Sequence, residues 1–507
     1  MSLKTNSKPS WVQKYPLHVV IFALYPILAL LAFNISEINM ALGYRVLLFS
    51  LSVAVILVII FHSIYRDWRR AALVSTILLI LFYSYGQVYI AIKGVNWGGV
   101  YIFRHRTLIP LWGLIGFALI WWASRKSLNL PTVTSVFNTA GLFLLIFPVY
   151  QLTSYPIQSR MASDNAKEGV LPLKVGDAPP DIYYIILDGY GRSDVLKDEY
   201  GFDNSEFLNT LRGLGFYVAD CSQSNYAQTQ ISLASSLNFD YLDALGDFVP
   251  GTDDRGQLEV LIKQSAVRRS LEAAGYKTVA FATGFNWTQW DNANYYLAPQ
   301  SKSGNLNEFE GLLLETTFAR LLQDYSLFGE QDSGSNLYRE RTLFALDKLD
   351  KLSYIKEPKF VFVHLIIPHP PYVFGPTGGP VAGNEVGTTK SNNEANHYRD
   401  QAIYISSRMR EIIPSIIANS TRPPIIVIQG DHGPTVASNL QSRMKNLSVY
   451  YLPDVDVKLY PTITLVNSFR VIFNAYFGQN LPLLEDVSRY SAYTDPFSFK
   501  PIPNSCE

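Results

Sequence analysis

The order of apolar and polar positions divides the chain in two. Between residues 11 and 152, five long apolar stretches follow one another with short polar breaks: Leu17 to Phe33, Val46 to Tyr65, Ala71 to Ile92, Thr107 to Ser124 and Pro131 to Leu152. A helix needs about 20 mostly apolar residues to cross a hydrocarbon core of about 30 Å. None of the five contains Asp, Glu, Lys or Arg. Buried helices of a soluble core rarely run this long without charge, so the pattern predicts a five-helix transmembrane domain over residues 1–152. The polar, proline-containing stretch 153–180 reads as a linker, stiffened at its end by Pro179-Pro180. From Asp181 onward, short apolar runs alternate with helical periodicity, which predicts an α/β domain over 181–507 with a mostly parallel sheet covered by helices. Its best strands are Ile182 to Leu187, Thr278 to Ala282, Phe360 to Val363 and Ile425 to Ile428. They are continuously apolar, as strands covered on both faces are.

Charge adds an orientation. With the N-terminus inside, the cytoplasmic segments carry Lys4, Lys8, Lys14, Arg66, Arg69, Arg70, Arg125 and Lys126, against Arg45, Lys93, Arg104 and Arg106 outside. An odd number of spans then puts the large C-terminal domain outside the plasma (inner) membrane. Trp11, Trp68, Trp97, Trp121 and Trp122 stand near span ends, where interfacial aromatic anchors belong. Over the whole chain, 42 basic residues balance 42 acidic ones, which gives no basic surface for nucleic acid. The two cysteines, Cys221 and Cys506, exclude a disulfide-rich scaffold and a thiolate zinc cluster. Whether they pair is left open; two partly buried free thiols fit equally well.

The chemistry concentrates behind the strands, where ligands bind in open α/β sheets. The first strand runs into Asp188-Gly189-Tyr190-Gly191, a turn whose acid is either a cap or a ligand. The last runs into Gly430-Asp431-His432-Gly433, two adjacent metal-competent side chains framed by glycines. Between them, Thr229 stands at the start of a helical segment, as a plain cap or as a hydroxyl beside anion-binding backbone N–H groups. His364 and His369 follow a buried strand, the latter caught between prolines. Trp287 and Asn292 are candidates for stacking and hydrogen bonding to a headgroup or sugar, with core packing as the other reading for the tryptophan. The Gly-, Asn- and Thr-rich stretch 375–396 reads as a surface loop near the site, with a lid as its candidate role.

Asp188, Thr229, His364, His369 and Asp431-His432, in this order, resemble the alkaline phosphatase and sulfatase superfamily over residues 181–480. With membrane spans in front, the plan is similar to lipoteichoic acid synthases and lipid A phosphoethanolamine transferases, which take a headgroup from a phospholipid. The resemblance implies that Asp188, Thr229, Asp431 and His432 hold one divalent metal ion (Zn, Mn or Mg). It makes Thr229 the nucleophile, and His364 or His369 the residue that binds phosphoryl oxygens or protonates the leaving group. Thr229-Gln230-Ile231-Ser232 does not match the Cys-x-Pro-x-Arg type signature of formylglycine sulfatases, and the second zinc site of two-metal alkaline phosphatases is not found. Lipoteichoic acid synthases carry Glu where this chain has Asp188. The expected activity is transfer of a phospho-substituted group from a lipid donor to an envelope glycan or lipid. Hydrolysis of phosphate or sulfate esters is the alternative, and a non-catalytic membrane receptor a third reading. Neither the identity of donor and acceptor nor the oligomeric state is encoded in any motif.

Overall fold

The computed structural model describes residues 14–35, 37–97, 100–166, 169–300, 306–325, 334–381, 393–504 and 506. The chain forms two compact units, residues 1–155 with 303–334, and 156–302 with 335–507.

The first unit holds five apolar helices, α1 (His18–Phe33), α2 (Tyr44–Tyr65), α3 (Trp68–Ile92), α4 (His105–Ser124) and α5 (Leu130–Ala166). Four helical stretches, Met40–Tyr65, Trp68–Ile92, His105–Ser124 and Leu130–Ile157, are long and apolar enough to cross a membrane; α1, at 16 residues, is shorter. Asn138, a polar residue within the fifth apolar stretch, accepts the backbone N–H of His18 (2.6 Å) and donates to the Tyr15 carbonyl (2.7 Å). It thereby satisfies a donor that every helix start leaves open. Helix α5 runs on through residues 153–166, the first part of the stretch read as a linker. There Thr153 returns its hydroxyl to the Val149 carbonyl (2.8 Å), which lets a polar residue continue the helix.

Segment 303–334 also belongs to this unit, so the run 181–507 is interrupted. Its helix Glu308–Thr316 opens with a capping box between Asn307 and Glu310 and packs Phe309 and Leu313 against Ile27 and Leu31. Beyond it, the Phe318 N–H donates to the Phe82 carbonyl (2.8 Å).

The second unit is built on a seven-stranded sheet among the described residues. Its strands are β1 (Ile182–Leu187), β2 (Tyr217–Val218), β3 (Lys277–Phe281), β4 (Tyr295–Leu297), β5 (Lys359–Leu365), β6 (Ile425–Gln429) and β7 (Ser448–Tyr451), in the order β2-β7-β6-β1-β5-β3-β4. From β4 to β6 the pairing is parallel; β7 is antiparallel to β6 and β2 to β7. All four strands expected from the sequence lie in it. Central β1 is buried along its whole length. Tyr183, Ile185 and Leu187 enter one apolar core, and Ile182, Tyr184 and Ile186 the other, as the two-residue period of a doubly covered strand requires. Three helices bear on the site: α6 (Thr229–Leu237), α7 (Glu394–Asn419) and the short helix Leu440–Met444. A hairpin of β8 (Ser488–Ala492) and β9 (Asp495–Ile502) returns the chain to the segment ahead of α6. There Cys221 and Cys506 form a disulfide, which settles the pairing left open above. The bond closes a separation of 285 residues, so only the return of this hairpin reveals it.

Candidate active site

Register assembles the site. Strand β1 lies between β5 and β6, with Ile186 opposite both His364 and Gln429, so the chain leaves three neighbouring strands at one level. Asp188 follows β1, and its N–H donates to the Leu365 carbonyl (2.9 Å). Asp431 and His432 follow β6 through Gly430, where a Cβ would stand 2.4 Å from the Tyr190 carbonyl oxygen; only glycine fits this approach. The Gly189 N–H donates to Asp431 Oδ1 (2.9 Å), and Tyr398 from α7 donates to the Gly189 carbonyl (2.8 Å).

Asp188, Asp431 and His432 each offer one ligand atom, all within 4.8 Å of one another and all buried. Asp188 Oδ1 and Asp431 Oδ2 have no hydrogen-bond partner. Burying unpaired carboxylate oxygens is costly, and a cation between them removes the cost. His432 Nδ1 donates to the Gly433 carbonyl (2.8 Å), so the Nε2 lone pair faces the carboxylates, 3.4 Å from Asp431 Oδ2 and 3.7 Å from Asp188 Oδ1. Such a backbone bond fixes the ligating tautomer. Burial, assisted by Arg443, lowers the His432 pKa to about 4 and keeps the ring neutral, as a ligand must be. Burial would raise Asp188, but His369 and the hydrogen bond from His364 outweigh it and hold this carboxyl below the usual range. The donor set therefore fits a divalent ion.

Thr229 is the first residue of α6, after Gln228 as N-cap, and its Oγ1 lies 3.1 Å from His432 Nε2. The approach to it is tightly held. Gln228 Nε2 donates to Ser491 and Ala492 of the hairpin, and Arg255 donates to both Gln228 and Gln230. Ser232, a rival hydroxyl, donates to the Asp431 carbonyl (2.6 Å) and is committed to the scaffold.

The two histidines take different places. His364 is buried and donates from Nε2 to Asp188 Oδ2 (3.2 Å), while its Nδ1 accepts from Thr288 (3.1 Å). It stands behind a metal-competent carboxylate. His369 is half-buried, its Nδ1 donates to the Pro370 carbonyl (2.7 Å), and its ring centroid is 6.4 Å from that of His432. Gln401 of α7 steadies this loop through the carbonyls of Pro368 and His369 (3.2 Å each). Trp287 packs beside His364, 5.4 Å between ring centroids, whereas Trp290 stacks in the core on Phe362. Asn292 accepts from Arg268 (2.9 Å), in the network that covers Trp290. The structure thus gathers Asp188, Thr229, His364, His369, Asp431, His432 and Trp287, and ties Asn292 to Arg268. Thr288, Gln401, Tyr398 and Arg443 also belong to the site and carry no motif; only strand register and loop return bring them in. Half of the stretch read as a lid, residues 382–392, lies outside the described residues.

No protein-family model matches the chain, and no curated protein matches it. Among solved structures, the zinc complex of the C-terminal periplasmic domain of EcEptC from Escherichia coli aligns with 66% of this chain and 96% of its own, at 13% identity and a TM-score of 0.42. A protein in the alkaline phosphatase superfamily from Vibrio parahaemolyticus aligns over 66% and 82%, at 9% identity and a TM-score of 0.39. The lipoteichoic acid synthase LtaP from Listeria monocytogenes aligns over 65% and 81%, at 10% identity and a TM-score of 0.37. The superfamily and the synthase named by these structures are those that the sequence motifs resemble. They are likenesses only; the function proposed below rests on this chain's own residues.

Proposed function

We propose that this protein is a membrane-anchored, metal-dependent enzyme of the alkaline phosphatase and sulfatase type. It moves a phospho-substituted group from a lipid donor to an envelope glycan or lipid through Thr229. The observation that carries this reading is the meeting of the Thr229 hydroxyl with three buried metal-competent groups, two of whose carboxylate oxygens lack any partner. One divalent ion held by Asp188, Asp431, His432 and Thr229 would screen anionic substrate oxygens and make the hydroxyl acidic enough to attack. Thr229 Oγ1 loses its proton and bonds to phosphorus, the bond from phosphorus to the donor's alcohol oxygen breaks, and that oxygen takes up a proton. Half-buried beside His432, His369 is placed to handle the proton. Backbone N–H groups at the start of α6 face the developing charge. An acceptor hydroxyl then attacks the phosphothreonine and restores Thr229.

Helix α1 supplies the fifth membrane crossing in this reading. Its N-terminal end lies by the start of α3, where Arg69 donates to the Lys14 carbonyl (3.4 Å), and its C-terminal end lies by the start of α2, where Leu31 packs on Gly43. It therefore runs the length of the bundle despite having only 16 residues. Five crossings put the catalytic domain outside the cytoplasm, where a disulfide such as Cys221–Cys506 persists.

The test is to incubate the full chain in detergent with zinc and a headgroup-labelled phospholipid and to map labelled peptides by mass spectrometry. Label on Thr229 is expected; label on Ser224 or Ser232 instead would overturn the assignment. Turnover that is independent of added glycan or lipid acceptor would point to the hydrolase.

A further inference from the structure

Arg443 reaches the site from the short helix Leu440–Met444. Its Nη2 donates to the carbonyl of Ala227 (2.8 Å), two residues before Thr229. Its Nη1 donates to the Gly433 carbonyl (3.2 Å) and to Thr435 Oγ1 (3.1 Å). The remaining contact is unusual: Nη2 also faces His432 Nε2 at 3.3 Å. Because His432 Nδ1 is the donor to Gly433, Nε2 can only accept, and its single lone pair, which Thr229 Oγ1 also approaches at 3.1 Å, cannot serve Arg443 and a metal ion at once. Among the described residues no carboxylate lies within ion-pairing distance of this guanidinium, although Asp431 and Asp188 are close enough to act on it through their fields. Two carboxylates, one guanidinium and one divalent ion leave a single positive charge unbalanced.

We infer that Arg443 is the anion-holding residue of this site, and that it makes the binding of the divalent ion and of a phosphoryl oxyanion mutually dependent. The inference rests on the metal site proposed above. When His432 Nε2 serves the ion, one guanidinium N–H is released beside Thr229. An anionic phosphoryl oxygen is the acceptor that satisfies both the free N–H and the surplus charge. The coupling is reciprocal: the ion readies Arg443 for the anion, and the anion offsets the repulsion between Arg443 and the ion.

The experiment is calorimetric titration of zinc into the full chain in detergent, with and without inorganic phosphate. Phosphate is expected to tighten zinc binding about tenfold in the parent protein, the scale of one charge-assisted hydrogen bond. In Arg443→Gln, zinc alone binds at least as tightly as in the parent, and phosphate has little effect. Equal tightening in the parent and in folded Arg443→Gln would overturn the inference and leave Arg443 as a clamp between two loops. If Arg443→Gln does not fold, Arg443→Lys decides: an ammonium cannot reproduce the fork, so unchanged coupling there is also fatal. If the parent binds zinc no better than Asp431→Ala, the metal site itself fails, and both readings fall together.

Discussion

Thr229 shows what a single residue decides. A threonine at a helix start can cap the helix or offer its hydroxyl elsewhere; here Gln228 is the N-cap and the Thr229 hydroxyl lies 3.1 Å from His432 Nε2. Thr229→Ala should therefore abolish turnover while changing stability by no more than about 0.5 kcal/mol, since no cap is lost. Turnover assays beside thermal melts check this, and near-normal activity in the folded variant would remove Thr229 from the mechanism. The histidines divide in the same way. Because His364 orients Asp188 from behind, His364→Ala should weaken metal affinity about 10- to 100-fold, whereas His369→Ala should slow turnover with the metal retained. Elemental analysis of the two purified variants distinguishes them; equal metal loss would place both residues around the ligands. Asp188, Thr229, Asp431 and His432 were legible in the sequence because each adjoins a strongly patterned strand or helix. Thr288 and Arg443 were not, because an ordinary Thr or Arg acquires meaning only from what register sets beside it.

At the level of elements, the strands were legible and the returns of the chain were not. Four continuous apolar runs locate the centre of the sheet, since burial on both faces admits little else. By contrast, the β8–β9 hairpin is polar and irregular, with a register shift between Tyr490 and Ala492, yet it holds Gln228 ahead of Thr229. Replacing both Cys221 and Cys506 by serine should cost about 2–4 kcal/mol and lower activity by loosening this hairpin. Denaturant unfolding with a parallel assay tests it, and full stability in the double variant would show the bond to be dispensable. A second tie holds the loop that carries Arg443. Asp194, near the start of helix Ser193–Tyr200, accepts from Arg192 (2.8 and 2.7 Å) and from Lys445 (3.0 Å). Burial acts to raise its pKa, but the two cations prevail and hold the carboxyl below the usual carboxylate range. A depressed carboxyl contributes stability that is complete above its unfolded pKa and lost as pH falls through the folded value. Asp194→Asn should accordingly cost about 1 kcal/mol at neutral pH, as expected of a partly exposed pair, and progressively less in acid. A gap between parent and variant that does not narrow on acidification would contradict this role.

For the whole molecule the decisive quantity is the parity of the membrane crossings. The sequence shows five apolar stretches, and the structure gives four helices that meet the length of a bilayer and one, α1, of 16 residues. At about 1.5 Å per residue, α1 spans roughly 24 Å, short of a hydrocarbon core of about 30 Å. Its ends nevertheless lie beside the ends of its neighbours: Lys14 by Arg69 at one, Leu31 by Gly43 at the other. A short crossing is accommodated by local thinning of the bilayer or by snorkelling of flanking residues, of which Lys14 is one. If α1 did not cross, four spans would leave the catalytic domain on the same side as the N-terminus. Lys14 would then lie opposite Arg66, Arg69, Arg70, Arg125 and Lys126, so only five crossings bring both basic sets to the cytoplasmic side; with the N-terminus inside, a four-span chain would keep Cys221–Cys506 reduced and out of reach of any envelope acceptor. Five crossings make orientation, disulfide and proposed substrate agree. Protease added to intact cells should therefore remove a C-terminal tag and spare an N-terminal one. Protection of both tags would leave α1 outside the set of crossings and bring the catalytic domain into the cytoplasm, and the proposed transfer to an envelope acceptor would have to be abandoned.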